Sequence, residues 1–140
     1  MNLFNIEILT PERKVFEAKI SSAMIPADDG WVEILFNHCD FVGGLGQGIL
    51  RLETEAGTEK FAISEGLFNV LNGNLNILTD NVTTASDLTP ELVKLKIEAL
   101  NKELAKLKEA GVSNVSIEMK FIKGELRYTQ AQLELVEGKK

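Results

Sequence analysis

The hydrophobic pattern changes period once, near residue 85, and that change forces a fold of two unlike parts. Before it, Phe4, Ile6 and Ile8 alternate with Asn5 and Glu7, the period-two pattern of a half-buried strand. Further strands are predicted at Lys19–Ile25, Trp31–Leu35, Ile49–Thr54, Lys60–Ile63, Leu67–Leu71 and Leu75–Leu78. Turn residues separate them: Asp28-Asp29-Gly30, Ala56-Gly57-Thr58 and Asn72-Gly73. Asn-Gly between apolar runs signals a two-residue hairpin, because both residues tolerate positive φ. Many short strands without intervening helices predict a sandwich or barrel.

After Asp80 the spacing becomes helical. Thr89-Pro90-Glu91 predicts a helix start: a threonine N-cap, proline at the first helical position, and an acid near the positive end of the dipole. Val93, Ile97, Leu100, Leu104 and Leu107 step by four and three, and Gly111 is expected as the C′ residue. A second helix is predicted from about Val115 to Val136, with the stripe Met119, Ile122, Leu126, Thr129, Leu133 and Val136. Two stripes joined by a short turn make an antiparallel helical hairpin. The expected architecture is an all-β sandwich over residues 1–86, followed by a C-terminal α-helical hairpin over residues 87–140, with the polar stretch Asp80–Leu88 as linker.

Composition narrows the function. Apolar residues make up 44% and charged residues 26%, ordinary for a globular protein. The net charge of −6 disfavours nonspecific binding to nucleic acid or an anionic membrane surface. One cysteine excludes an internal disulfide, and His38 with Cys39 alone cannot build a metal cluster. MNLFNIEILT lacks a basic n-region and a continuous apolar core, so no signal or transit peptide is expected. No apolar run approaches the roughly 20 residues that span a bilayer, so no direct membrane insertion is expected.

Residues 36–48, FNHCDFVGGLGQG, collect catalytic residue types and four glycines. Adjacent side chains on extended chain point to opposite faces, whereas a triad needs its groups to converge from distant positions. His38 is therefore read as a loop or interface residue and Cys39 as a small buried filler. The glycines fit neither a dinucleotide fingerprint nor a Walker loop, and Gly43–Gly48 is expected to be a flexible loop between strands. Lys120, Lys123 and Arg127 share one helix face, either a solvated face or a docking face for an acidic partner.

Taken in order, these parts resemble the epsilon subunit of F-type ATP synthases, called delta in mitochondria. Ile6-Glu7-Ile8-Leu9-Thr10-Pro11 followed by Val15-Phe16 is similar to the family's first strand and turn. Gly30, Ile34, His38 and Gly48 keep part of its pattern G-x-x-G-I-x-P-x-H-x-P with a later P-G. Ala62-Ile63-Ser64-Glu65-Gly66-Leu67-Phe68-Asn69-Val70 resembles S-G-G-x-x-E-V, and Asn74-Leu75-Asn76-Ile77-Leu78-Thr79-Asp80 resembles N-x-V-x-V-L-A-D. The chain departs from the pattern at Glu33, Phe36, Asp40, Gln47 and Glu65.

The resemblance implies a non-catalytic rotor subunit with no cofactor, no metal and no nucleic-acid partner. It implies that Asp28, Asp29, Gly30 and Trp31 rest on the c-ring, while Thr10, His38 and Gly43 face the gamma subunit. Trp31 is either an exposed anchor there or packed under the sandwich. The hairpin is implied to be regulatory: permissive when folded on the sandwich, and obstructing hydrolysis when extended along gamma into the catalytic alpha/beta head, where Lys120, Lys123 and Arg127 would meet acidic surface. The expected location is the cytoplasmic side of a bacterial membrane, bound peripherally. Some relatives bind ATP through I/L-D-x-x-R-A. Leu88-Thr89-Pro90-Glu91-Leu92-Val93 lacks both the aspartate and the arginine, so calorimetry on the isolated chain is expected to find no ATP binding at millimolar concentration or tighter. The reading from another class is a free-standing binding module that dimerises through its hairpin.

Overall fold

The computed structural model describes residues 2–114 and 116–137. Its elements are β1 Phe4–Leu9, β2 Lys14–Ala27, β3 Gly30–Leu35, β4 Phe41–Leu45, β5 Gly48–Thr54, β6 Gly57–Ile63, β7 Gly66–Leu71, β8 Asn74–Thr79 and β9 Val82–Thr83. A 3-10 turn at Ala85–Asp87 leads into α1 Pro90–Glu109 and α2 Ile117–Glu137. The fold is a β-sandwich followed by two helices, as the change of period predicts.

Strand β2 belongs to both layers. Its first half pairs with β1, from Phe4↔Ile20 to Ile8↔Phe16. Its second half lies between β3 and β5, with Ala23 opposite Ile34 on one side and Leu52 on the other. One layer therefore runs β4-β7-β8-β1 into β2, and the other runs β3-β2-β5-β6-β9. A register shift between Ile20 and Ser22 marks the crossing, as bulges do where a strand bends. Ile6, Ile8, Ile20, Ile25, Ile34, Leu50, Leu52, Ile63, Phe68 and Ile77 fill the interior between the layers.

The Asn72-Gly73 hairpin forms as predicted, with φ of 52° and 78° at its two turn residues. Gly111 is left-handed at φ 75°. Its N–H donates to Lys108 O and the Val112 N–H to Leu107 O, which makes a Schellman end to α1. Thr89 holds the N-cap position of α1, but its side chain makes no capping bond. At α2 the cap is Ser116, whose Oγ accepts the Met119 N–H at 3.1 Å. Val115, the expected start of this helix, lies outside the described residues.

Four expectations are corrected. Gly43–Gly48 is not a flexible loop: Phe41–Leu45 is a strand paired with β7, and Gly48 opens β5. Alternation was invisible there because two of the five strand residues are glycine. The Asp80–Leu88 linker contains β9, whose Val82 and Thr83 pair with Ile63 and Ala62. Cys39 is exposed, not a buried filler. The stripe on α2 is only half of what that helix buries. Met119 and Ile122 are buried on the predicted stripe, and a second face of Tyr128, Ala131 and Leu135 packs on Ala62 and Ile49.

Candidate functional site

The two outer faces of the sandwich differ. On the β5-β6 side, Ile49 and Ala62 form a cross-strand pair that α2 covers with Tyr128, Ala131 and Leu135. Thr83 Oγ1 lies 3.4 Å from Tyr128 Oη and accepts the Gln132 side-chain amide at 3.3 Å. Burial pushes the Tyr128 phenol up from its ordinary value, partly offset by its hydrogen bonds to Thr83 and Gln132. The hairpin therefore docks on this face through apolar side chains bordered by polar contacts to Thr83.

The opposite face is left uncovered by the described residues and carries exposed apolar side chains beside polar ones. Leu9, Leu78, Leu67 and Gly44 lie side by side across β1, β8, β7 and β4. Val42, Asn69, Asn76 and Glu7 form the next row. Val42 is 71% exposed, and Leu67, Leu71 and Leu78 are also exposed. Contiguous exposed apolar surface is a feature of protein–protein contact sites. The signal was in the sequence: Leu67-Phe68-Asn69-Val70-Leu71 places apolar side chains on both faces of β7, more than a sheet with one wet face requires.

The residues expected to meet gamma bracket this face. Thr10 lies at one end, where its hydroxyl donates to Arg13 O at 3.3 Å and it lines a shallow hollow with Leu9, Leu67 and Leu78. His38 lies at the other end, beside Phe41 at 6.1 Å between ring centroids. Its Nδ1 is 2.7 Å from the Cys39 carbonyl oxygen, so that nitrogen carries the proton. Gly43 does not face outward. A Cβ there would stand 2.6 Å from the Phe68 ring in the interior, so only its backbone can reach a partner.

The turn expected on the c-ring is built from Asp28 and Asp29, between Ala27 and Gly30 at the end of the β2-β3 hairpin. Gly30 has φ 134°, open to glycine and strained for other residues. Trp31 is 63% exposed, so packing under the sandwich is excluded. The Asp28 N–H donates to Gly44 O at 3.0 Å, which pins this turn to β4 at the edge of the apolar face.

Three departures from the family pattern acquire reasons. Asp40 Oδ1 accepts the Asn72 N–H at 3.0 Å and ties the start of β4 to the β7-β8 turn. Glu65 is exposed, so its side chain meets no obstacle. Gln47 reaches α2, where its Oε1 accepts from Arg127 Nε at 3.1 Å. Of the basic face, Arg127 thus touches the sandwich, and Lys123 donates to Asn114 at 3.4 Å within the hairpin. Lys120 is exposed beside a cleft that also bears Glu65 and Asp80. No helix among the described residues is long and apolar enough to cross a membrane.

Known proteins agree with this architecture. The family model described as "ATP synthase, Delta/Epsilon chain, beta-sandwich domain" matches residues 3–85. The chain is similar to the ATP synthase epsilon chain of Rhizobium meliloti, 29% identical over 102 residues, covering 72% of this chain and 76% of the relative. The epsilon chain of Syntrophomonas wolfei is 30% identical over 102 residues, covering 72% and 74%. Among solved structures, a chain of the Euglena gracilis mitochondrial ATP synthase shares the fold at TM-score 0.72 and 19% identity, covering 97% of this chain and 80% of that one. With the family's sandwich matched over more than half its length, this chain belongs to the ATP synthase delta/epsilon family.

Proposed function

We propose that the protein is a non-catalytic central-stalk subunit of an F-type ATP synthase, joining gamma to the c-ring, with its helical hairpin as a brake on hydrolysis. The observation that carries this is the difference between the two sandwich faces. The chain covers one with its own helices, and its described residues leave the other, with exposed Val42, Leu67, Leu71 and Leu78, uncovered between Thr10 and His38. Such a face suits a permanent protein partner, and in this reading the partner is gamma. The Asp28–Trp31 turn lies at the edge of that face and presents two acids and an exposed indole. An aromatic anchor of this kind suits a compact interface centre. In this reading it rests on the loops of the c-ring, so torque passes through the sandwich to gamma. The chain would then sit peripherally on the cytoplasmic side of a bacterial membrane, held by its partners.

A cysteine at Asp29, in a Cys39→Ser background, is expected to cross-link to a c-subunit loop in the assembled enzyme. Efficient cross-linking to a catalytic beta chain, with none to c, overturns the docking. Dimerisation through the hairpin is the weaker reading, because α1 and α2 pair their stripes with each other and α2 spends its second face on the sandwich. A stable dimer of the isolated chain in solution would favour it.

A further inference from the structure

We propose that Gln47 is a latch that holds the helical hairpin against the sandwich, and that Arg127 is the hairpin residue it holds. Gln47 sits between β4 and β5 in a tight connection, which the Gly46 N–H pins to Pro26 O at 2.8 Å. From this fixed base its side chain crosses to α2. Its Oε1 accepts from Arg127 Nε at 3.1 Å. Its Nε2 lies 3.1 Å from the point where a Cβ on residue 124 would stand.

That second contact bears on why α2 carries Gly124. Glycine is a poorer helix former than any residue except proline, and it occurs here in the helix interior. It stands beside the side-chain amide of Gln47. Gly124, Arg127 and Tyr128 are three and four residues apart, so the latch and the Tyr128 contact with the sandwich lie on one helix face. Toward the tip of the hairpin the cleft opens, with Ile117 and Phe121 exposed at its edge. Gln47 thus secures the tip-ward end of the docked interface, while Tyr128, Ala131 and Leu135 secure the rest.

Arg127 then has a different partner in each state. Docked, it is held by Gln47. Released, it is free to join Lys120 and Lys123 in an acidic crevice. This consequence rests on the brake proposed above, whereas the latch does not depend on it.

Tyr128 is the only tyrosine of the chain and is 6% exposed against the sandwich, so its chemical accessibility reports docking. The experiment is the rate of Tyr128 O-acetylation by N-acetylimidazole on the isolated full chain, in a Cys39→Ser background. Gln47→Ala is expected to raise the rate roughly two- to tenfold, the span of one net hydrogen bond. Gly124→Ala is also expected to raise it, although alanine strengthens the helix itself. Circular dichroism showing undiminished helix then separates undocking from melting. Lys120→Ala is expected to leave the rate unchanged. An unchanged rate in Gln47→Ala, or a slower one in Gly124→Ala, overturns the latch. In the assembled enzyme, Gln47→Ala is expected to lower hydrolysis by freeing the hairpin to extend into its braking position more often. Faster acetylation with unchanged hydrolysis keeps the latch and removes the brake. Unchanged acetylation removes the latch whatever hydrolysis does.

Discussion

Ending the chain after Asp87 is expected to raise ATP hydrolysis by the assembled enzyme severalfold while leaving assembly and coupling intact. The sandwich should survive the truncation. Its core cluster is built entirely from residues between Phe4 and Val82, and the hairpin covers only the small patch around Ala62 and Ile49. The uncovered apolar face and the Asp28–Trp31 turn are untouched. What is lost is the element able to occupy two positions. A switch of this kind needs two packings of similar free energy, so that modest differential contacts move the population.

The docked interface is suited to that balance, being small and partly polar. On the free subunit the exposed cations contribute little. In a partly desolvated acidic crevice each charge-assisted contact is worth roughly 1–3 kcal/mol. Replacing Lys120, Lys123 and Arg127 together by alanine should therefore release hydrolysis partly. The release should be incomplete because Arg127→Ala also removes the partner of Gln47 and loosens docking. Steady-state hydrolysis by purified complexes, with coupling measured alongside, is the check. Unchanged hydrolysis on truncation, with assembly intact, means the hairpin is no brake in this protein.

The parts of this fold that could be read from the sequence are those where side chains report the backbone. Phe4, Ile6 and Ile8 are buried in turn, as their alternation requires. Asn72-Gly73 and Gly111 take positive φ, as their residue types permit. The reading failed where the reporting side chains are small or the partner is distant. Gly43 and Gly44 carry no pattern, yet both lie in β4. A side chain at 43 would collide with Phe68, and one at 44 with the Asp28 carboxylate. β9 is only two residues long and gains its order from Ala62 and Ile63. The second face of α2 is hidden because Ala131 is small and Gln132 polar, and their partners are some fifty residues or more away in sequence.

The candidate site was legible in part for the same reasons. A turn with an aromatic beside it can be seen in sequence, and Trp31 is exposed there. That Thr10 and His38 stand at opposite ends of one sheet depends on the parallel pairing of β1 with β8 and the antiparallel pairing of β4 with β7. No local pattern encodes those registers.

Gly66→Ala is expected to destabilise the sandwich by about 2–3 kcal/mol, the upper part of the range for forcing a methyl group into a packed site. Gly66 pairs with Thr79 across β7 and β8. A Cβ at this position would run into the Leu78 carbonyl oxygen and stand 2.9 Å from Thr79 Cα. Those are backbone atoms of the neighbouring strand, so no flexible side chain can move aside. Relief requires the two strands to part where a buried polar group is already committed. Thr79 Oγ1 donates to Ser64 O at 2.9 Å, and Ser64 Oγ accepts the Asn81 N–H at 2.9 Å. Parting the strands would strain both bonds, and leaving such groups unpaired costs more than the bonds themselves contribute. The residue before it gives the contrast. Glu65 is exposed, so Glu65→Ala should change stability by no more than about 0.5 kcal/mol. Of the two glycines in the family's S-G-G, this chain has replaced the one that has room and kept the one that does not. Denaturant unfolding of the two variants with matched slopes is the measurement. Equal midpoints for Gly66→Ala and the parent chain would mean that β7 and β8 can separate there without loss, and that the close approach of their backbones is not what holds this glycine in place.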